Sequence, residues 1–228
     1  MESRGDSWRG RRIGCKQGGV MPAVVDREEK AREICQRAYE VFTTEGIEKF
    51  SLNQFIALLG ISKGQFYHYF KTKEELIFAA ISEKSEWFVK EIKENLKGAK
   101  TLIEKLRILF VFYVGEEEEM VRFRRILFDT FHLYIYSKDL KAREFNAETY
   151  EWMDRELEAI LKEEIARGHL REEVLEWVEI IPSSVDGIYL RSIMTDGYDL
   201  KKALEDLFIK IEKIFGVEGE RGRGLDVR

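Results

Sequence analysis

Apolar residues recur at intervals of three and four along most of the chain, the spacing that places them on one face of a helix. A first helix is predicted from about Asp26 to Gly46, a glycine that suits the C-cap position. The apolar face of this helix consists of Ala31, Ile34, Cys35, Ala38, Val41 and Phe42. No segment keeps the strict alternation of a half-buried strand. The pattern therefore predicts an all-α protein.

Polar residues that favour helix starts predict where the next three helices begin. Each start pairs a Ser or Thr with a Gln or Glu three residues later, which is the spacing of a capping box. The pairs are Ser51 with Gln54, Ser62 with Gln65, and Thr72 with Glu75. Phe50 and Phe55 have the spacing of a hydrophobic staple at the first of these starts. We therefore expect two short helices separated by Gly60, followed by a long helix that ends near Lys97.

The remainder of the chain shows the same helical spacing, interrupted at glycines. Five further helices are predicted, near residues 101–114, 116–136, 139–167, 171–195 and 199–215. Pro182 lies inside the fourth of them. Because proline has no amide N–H, we expect a kink there and a free carbonyl at Val178. This kink is either a packing accommodation or part of a pocket wall.

The two short helices and the turn at Gly60 form a helix-turn-helix motif, whose second helix would enter the major groove of DNA. Phe66 and Phe70 lie four residues apart and would anchor that second helix against the first. The other side chains of residues 63–69 would then point outward. The alternative is a helical hairpin with no role in DNA binding.

Several of these outward groups suit the phosphates of a duplex. Lys63 and Lys73 are cations on either flank of the second helix. Ser62 and the N–H group of Gly64 lie at the N-terminus of that helix, where anions bind. Tyr67 can donate to a phosphate or lay its ring on a sugar. We therefore expect one face of this helix to follow the DNA backbone.

Two other side chains of the same helix can hydrogen-bond base edges, namely Gln65 and His68. Gln65 has two competing roles, because its amide is also half of a predicted capping box. One side chain cannot satisfy the cap and a base completely at the same time, so the two roles oppose each other.

The run GISKGQFYHYFKTKEEL, residues 60–76, closely resembles the TetR family of transcriptional regulators, and the resemblance proper spans residues 27–76. The matching positions are Gly60, Ser62, Gly64, Tyr67, Phe70, Lys73 and Leu76. The resemblance implies DNA contacts from Asn53, Lys63, Gly64, Tyr67, His68, Tyr69 and Lys73, and side-chain chemistry adds Ser62 and Gln65. Ile56 departs from the family pattern, which commonly has a small residue where the two helices cross.

Charge and composition narrow the class of protein. Residues 1–73 contain 13 Lys and Arg against 9 Asp and Glu, whereas the rest contains 25 against 34, so the basic part coincides with the motif. With 44% hydrophobic and 36% charged residues, the chain is neither disordered nor a membrane protein. No signal peptide is evident, and Cys15 and Cys35 form no disulfide framework, so a cytoplasmic location is expected.

The motif and the flanking compositions divide the chain into four predicted parts. These are a disordered N-terminal extension at 1–24, a helix-turn-helix DNA-binding domain at 25–72, a larger helical ligand-binding and dimerisation domain at 73–215, and a flexible tail at 216–228. Two alternatives exist for the extension: it is a basic arm that follows phosphates, or translation begins at Met21.

Aromatic residues are concentrated between residues 110 and 136, where eight of the 27 residues are Phe or Tyr. Aromatic rings line apolar pockets and also fill cores, so both explanations stay open. Asp129 and His132 would be polar groups in such a pocket wall, or would face solvent. The candidate ligand-binding residues are Phe110, Tyr113, Phe128, Phe131, His132, Trp152 and Tyr189.

Residue patterns typical of enzymes are missing from the sequence. The three histidines are scattered and form no metal-binding pair, and no Gly-rich phosphate loop or nucleophile elbow is present. We therefore expect no catalytic residue, no metal site, no cofactor and no enzymatic activity. An enzyme built on an all-α scaffold is the rival explanation, with Asp129 and His132 as its only candidate pair.

The last two predicted helices carry apolar residues at helical spacing, which suits a four-helix dimer interface. The positions are Val185, Ile188, Tyr189 and Ser192, then Leu200, Leu204, Leu207, Phe208, Ile211 and Phe215. The family resemblance implies that the chain forms a homodimer through these helices and binds a small molecule in its body.

The resemblance thus implies a ligand-responsive transcriptional regulator. The expected form is a repressor that releases a palindromic operator when a hydrophobic small molecule binds its C-terminal domain. Its two recognition helices would lie about 34 Å apart, and a bound ligand would tilt the fourth helix and separate them. The alternative is a helical ligand-binding protein without a specific DNA role. The effector, the operator and the choice between repression and activation stay open.

Overall fold

The computed structural model describes residues 22–130, 133 and 140–217, and within these ranges the chain is helical. The first helices are α1 (Pro22–Glu45), α2 (Leu52–Leu58), α3 (Lys63–Tyr69) and α4 (Lys73–Leu96). They are followed by α5 (Leu102–Leu109), α6 (Val111–Val114), α7 (Glu118–Asp129), α8 (Leu140–Ala166), a 3₁₀ helix (Glu172–Trp177), α9 (Ile180–Met194) and α10 (Leu200–Phe215). The prediction of an all-α protein is confirmed. No helix in the described ranges is long and apolar enough to cross a membrane.

Local caps fix several helix ends where the sequence predicted them. Ser62 and Gln65 form a complete capping box at the start of α3, and Thr101 and Glu104 form another at the start of α5. Gly46 follows the last residue of α1 with φ 81°, the left-handed conformation that glycine adopts without a steric penalty. These ends are encoded by residues three or four positions apart.

The starts of α2 and α4 are capped differently. Ser51 is the N-cap residue of α2, but its side chain makes no capping hydrogen bond, so the capping box predicted there is wrong. The hydrophobic staple supports this start instead, since the rings of Phe50 and Phe55 lie 5.3 Å apart. At α4 the N–H of Glu75 donates to Thr72 Oγ1 at 3.0 Å, as the sequence predicted.

Two helix boundaries differ from the prediction. α1 begins at Pro22 and not near Asp26, within the span predicted as an extension. Proline is accommodated in a first helical turn, where its missing N–H would have no intrahelical partner. The predicted helix at 101–114 is interrupted at Phe110, which has φ −97° and ψ 26°. The Phe110 ring is fully buried and stacks on Phe208 at 5.8 Å, so tertiary packing accompanies the break.

The kink predicted at Pro182 is also wrong. The span 171–195 contains the 3₁₀ helix and α9 in place of one bent helix, and Pro182 is the third residue of α9. An amide N–H in the first helical turn has no carbonyl partner within the helix. Proline therefore fits there without bending α9.

The described chain forms two compact units that do not follow one contiguous division. The first comprises the chain up to Lys90 together with Arg122–Trp152, and the second comprises Glu91–Val121 together with the chain from Met153 onward. The domain boundary at 72 and 73 stays a prediction, because the units are set by contacts between distant segments.

An aromatic core holds the first unit together. The rings of Phe42 and Phe50 meet edge to face at 4.8 Å. Phe123 of α7 lies 4.7 Å from Phe88 of α4 and 6.3 Å from Tyr39 of α1, measured between ring centroids. The part of α7 from Arg122 onward therefore shares a core with α1 and α4.

In the second unit, α10 packs with the helices that precede it. Leu204, Phe208 and Ile211 of α10 are almost completely buried. At the surface the Arg107 guanidinium donates two hydrogen bonds to the Glu205 carboxylate, at 2.6 and 2.7 Å. This pair joins α5 to α10.

A buried ion pair joins α5 to the end of α8 in the same unit. Lys105 is only 3% exposed, and its Nζ lies 2.6 Å from Glu164 Oε1 and 2.7 Å from Glu163 Oε2. The other Glu164 oxygen lies 2.7 Å from His169 Nδ1. Burial by itself raises the pKa of Glu164, but the hydrogen bonds from Lys105 and His169 outweigh it and hold that pKa below its ordinary value.

Lys105→Met is expected to lower the free energy of unfolding by about 3–5 kcal/mol, because the buried Glu164 carboxylate loses its ammonium partner. Glu164 then keeps only His169 Nδ1 at 2.7 Å and the Arg167 guanidinium at 3.4 Å. The double variant Lys105→Met/Glu164→Leu should recover most of that loss, since it removes both charges. Urea unfolding at neutral pH measures both changes. A single variant as stable as the wild type would contradict the assignment.

The same pair gives a pH dependence of defined sign. The pKa of Glu164 is depressed in the folded state, so its stabilising contribution is present above the unfolded-state pKa and is lost as the pH falls through the folded-state pKa. The wild type should therefore lose more stability upon acidification than the double variant does.

Candidate nucleic-acid interface

A turn between α2 and α3 presents the candidate interface. Gly60 in this turn has φ 67°, a conformation that other residues adopt only with strain. Phe66 of α3 is completely buried and Phe70, just after α3, is nearly so, with 5.8 Å between their ring centroids. The predicted burial of these two rings is confirmed, and their packing against α2 stays a prediction. Ile56, the departure from the family pattern, is also buried in this region of the chain.

Burial of Phe66 leaves the rest of α3 facing solvent. Tyr67 is 42% exposed, and its ring stands edge-on to Phe66 at 5.7 Å, so the core orients it. Tyr69 is half-buried. The remaining predicted contacts on α2 and α3 are exposed: Asn53, Ser62, Lys63, Gly64, Gln65 and His68. α3 therefore presents a polar face on an apolar base.

The N-terminus of α3 is held by its capping box. The Gln65 N–H donates to Ser62 Oγ at 3.1 Å, and the Ser62 N–H donates to Gln65 Oε1 at 2.8 Å. The Gln65 carbonyl oxygen therefore serves the cap, and its amide NH₂ group is the donor that a base edge would meet. Lys63 and Gly64, the first two residues of α3, direct N–H groups that lack intrahelical partners toward the same end.

Lys73, the first residue of α4, is placed differently from the other candidates. It is half-buried, and its Nζ donates to the carbonyl oxygen of Phe50 at 2.8 Å and to that of Ile47 at 3.4 Å. The ammonium also lies 5.4 Å from the centroid of the Phe50 ring. These contacts tie the start of α4 to the turn between α1 and α2. A contact from Lys73 to phosphate stays a prediction.

Two basic residues that the sequence reasoning missed lie at the other end of α3. The Arg27 guanidinium donates to the carbonyl oxygen of His68 at 3.1 Å, and Lys71 Nζ donates to that of Tyr67 at 2.5 Å. Lys71 follows Tyr67 by four residues, a spacing from which a cation can reach the last carbonyls of a helix. Arg27 precedes His68 by 41 residues, so no local signal could have identified it.

Three further titratable groups of α1 have pKa values shifted by their surroundings. Lys30 Nζ lies 2.6 Å from Glu33 Oε2, and this hydrogen bond raises the pKa of Lys30 and lowers that of Glu33. Burial raises the pKa of the Cys35 thiol to about 12, with a further contribution from the charge of Glu83. Cys35 is therefore a neutral core residue at physiological pH.

An anchored helix with a polar face, joined through a glycine turn to a second short helix, defines a helix-turn-helix DNA-binding protein. The family model of bacterial regulatory proteins of the tetR family matches residues 34–80, which run from α1 into α4. Over these residues the chain has the DNA-binding domain of the TetR family of transcriptional regulators.

Relatives and solved structures extend the likeness beyond the motif. The fatty acid metabolism regulator protein of Bacillus subtilis (strain 168) is 24% identical over 177 residues, which cover 76% of this chain and 89% of that protein. An HTH-type transcriptional regulator of Staphylococcus aureus (strain USA300) is 32% identical over 69 residues, only 37% of its length. The crystal structure of a TetR-family regulator from Cytophaga hutchinsonii has a TM-score of 0.68 at 18% identity, covering 85% of this chain and 98% of that one.

The described ligand-binding candidates belong to both units. In the second unit Tyr113 lies 6.5 Å from Phe110 and 5.7 Å from Tyr189, measured between ring centroids. Phe110 also packs in the core, whereas Tyr113 is half-buried and donates a hydrogen bond to the Asp186 carboxylate. The sequence reasoning missed Asp186, which lies 73 residues from Tyr113.

The remaining described candidates lie in the first unit. Phe128 and Trp152 belong to the first unit, where Phe128 is half-buried and Trp152 is buried. Phe131 and His132 lie outside the described residues, as does the end of the helix predicted at 116–136. Asp129 is half-buried and lies beside Gly46. Its Oδ2 atom is 3.8 Å from the position that a Cβ at residue 46 would take. Among the described residues, no group of three His, Cys, Asp or Glu side chains is placed to hold a metal ion.

Proposed function

We propose that this protein is a homodimeric repressor that binds a palindromic operator and releases it when a hydrophobic small molecule binds the C-terminal helices. The observation that carries the DNA part is the exposed polar face of α3 on the buried base of Phe66 and Phe70. On this proposal Lys63, Gly64 and Tyr67 meet phosphates and sugars, while Gln65 and His68 read base edges.

Selection from sheared genomic DNA, followed by sequencing, should enrich a palindrome whose half-sites are centred about one helical turn apart. Tyr67→Ala is expected to weaken binding to that operator by about 1–3 kcal/mol, because the contact of the Tyr67 side chain with the DNA backbone is lost. Phe66 stays buried and keeps α3 in place. Fluorescence anisotropy with the enriched duplex measures the change.

Leu58→Ala is the matched control for this experiment, since Leu58 is an exposed apolar residue of α2, 63% exposed, outside the proposed contact set. It should bind the operator as the wild type does. The rival function, a ligand-binding protein without a DNA role, would be supported if no site were enriched and Tyr67→Ala changed nothing.

Support for dimerisation comes from the outer faces of α9 and α10. Six of the ten positions first expected at the interface are buried in the protomer: Val185, Tyr189, Leu204, Phe208, Ile211 and Phe215. The other four, Ile188, Ser192, Leu200 and Leu207, are half-buried. The side of these helices that packs on its own protomer therefore leaves little apolar surface for a second copy.

The opposite side of α9 is the better candidate for a second copy. Ile180, Ser183, Gly187, Leu190 and Met194 are all exposed and recur at spacings of three and four. The space where Gly187 would carry a Cβ has no neighbouring atom within 4 Å, so a partner helix could approach the backbone closely there. On α10 the exposed apolar residues are Ile209 and Ile214. We define these seven residues as the outer seam.

Leu190→Glu/Met194→Glu is expected to raise the dimer dissociation constant by about 100-fold or more, which corresponds to about 3 kcal/mol, because two carboxylates would be buried between copies. Sedimentation equilibrium measures the dissociation constant. Val121→Glu is the matched control, since Val121 on α7 is 44% exposed, as is Leu190. A double variant that stays fully dimeric would exclude the outer seam.

Support for the ligand part is chemical. Tyr113, Tyr189 and Phe110 bring aromatic area to one place in the second unit, with the Asp186 carboxylate as a polar group beside it. The relative from Bacillus subtilis is named for fatty acid metabolism, which makes fatty acids the first ligands to test.

A saturating long-chain fatty acid should lower operator affinity by about 5- to 150-fold, the range of typical coupling free energies. Because coupling is reciprocal, operator DNA should weaken fatty acid binding by the same factor. Anisotropy and calorimetry measure the two sides, with acetate as the matched carboxylate that lacks an apolar chain. Fatty acid binding with unchanged operator affinity would refute the coupling.

A further inference from the structure

Three basic side chains around α3 donate to main-chain carbonyls of the DNA-binding head, by which we mean α1 to α3 and the start of α4. Arg27 of α1 donates to His68, Lys71 donates to Tyr67, and Lys73 donates to Phe50 and Ile47. From charge alone, all three would count as partners for phosphate. The contacts show instead that each cation connects one segment of the head to another.

The carbonyls at the end of α3 have a particular need for such donors. Tyr67 and His68 lie among the last four residues of α3, whose carbonyl oxygens have no partner within the helix. α3 has only seven residues, and a helix this short is unstable unless its ends and one face are held. Cations at a helix C-terminus also interact favourably with the helix dipole.

Lys73 makes its contacts away from α3, at the turn between α1 and α2. Its ammonium is held by two carbonyls of the turn between α1 and α2 and by the face of the Phe50 ring. Phe50 in turn contacts Phe42 of α1 and Phe55 of α2. Turning Lys73 toward a phosphate would remove donors from partly buried carbonyls, which is unfavourable.

We propose that Arg27, Lys71 and Lys73 are positioning residues that hold α3 in its reading orientation, and that Lys63 is a phosphate contact. This inference rests on the proposed DNA-binding function. Lys63 is the first residue of α3 and is exposed, at the helix end where anions are favoured. Positioning affects the reading of bases, whereas a phosphate contact affects every sequence equally.

The two roles are separated by salt dependence. Affinities for the enriched operator and for a random-sequence duplex of equal length are measured by anisotropy over a series of salt concentrations. Lys63→Met should weaken both complexes and reduce the slope of log K against log salt by about 0.9 for each phosphate contact removed. Lys73→Met should weaken operator binding by about tenfold or more, leave the random duplex within about twofold, and keep the slope.

Two additional variants make the comparison specific. Lys73→Arg keeps a cation with several donors and should retain operator affinity within about threefold. Lys71→Met removes an exposed side chain, so it carries the test if Lys73→Met fails to fold. A stoichiometric titration of each variant gives the active fraction, because simple destabilisation lowers that fraction without changing slope or specificity.

Each outcome decides the question. If Lys73→Met or Lys71→Met lowered the salt slope as Lys63→Met does and weakened both duplexes equally, the positioning role would be refuted while the DNA-binding function stood. If the wild type bound both duplexes alike at every salt concentration, the proposed function itself would fail. Loss of operator discrimination at an unchanged slope would establish the positioning role.

Discussion

Everything that this protein does with DNA depends on a helix that cannot be stable alone. α3 has seven residues, about two turns, so nucleation and end effects outweigh its internal hydrogen bonds. Burial of Phe66 holds one side, the Ser62–Gln65 capping box holds the first turn, and Arg27 and Lys71 bind carbonyls of the last turn. The orientation of the polar face of α3 is fixed because contacts hold its buried side and both of its ends.

α9 and α10 also use their two sides differently, one for packing within the protomer and one that stays exposed. α9 and α10 bury one side in their own unit through residues such as Val185 and Phe208, and leave Ile180, Leu190 and Met194 outside. A helix with apolar residues on two sides can stabilise its protomer and still offer a surface to a second copy. Dimerisation on this proposal uses the side that folding leaves uncovered.

Polar contacts that are buried or half-buried restrict how the helices of the second unit pack against each other. Lys105 and Glu164 fix α5 against the end of α8, and Tyr113 and Asp186 join the segment after α5 to α9. A buried charge without its partner is costly, so such pairs favour one arrangement of the helices over its neighbours. Any ligand that reaches Tyr113 would therefore meet a side chain with a defined orientation.

Sequence alone determined the features that depend on residues three or four apart. The helical class, the glycine ends at Gly46 and Gly60, the Ser62 capping box and the recognition motif are encoded locally, and all of them are present in the structure. Tertiary structure decided what depends on distant partners. It determined which side of α9 is buried. It also placed the Lys73 ammonium where it donates to main-chain carbonyls, and it placed Arg27 beside His68, which is 41 residues away in the sequence. Charge and periodicity carry no information about such partners, because the contacts exist only once the chain has folded.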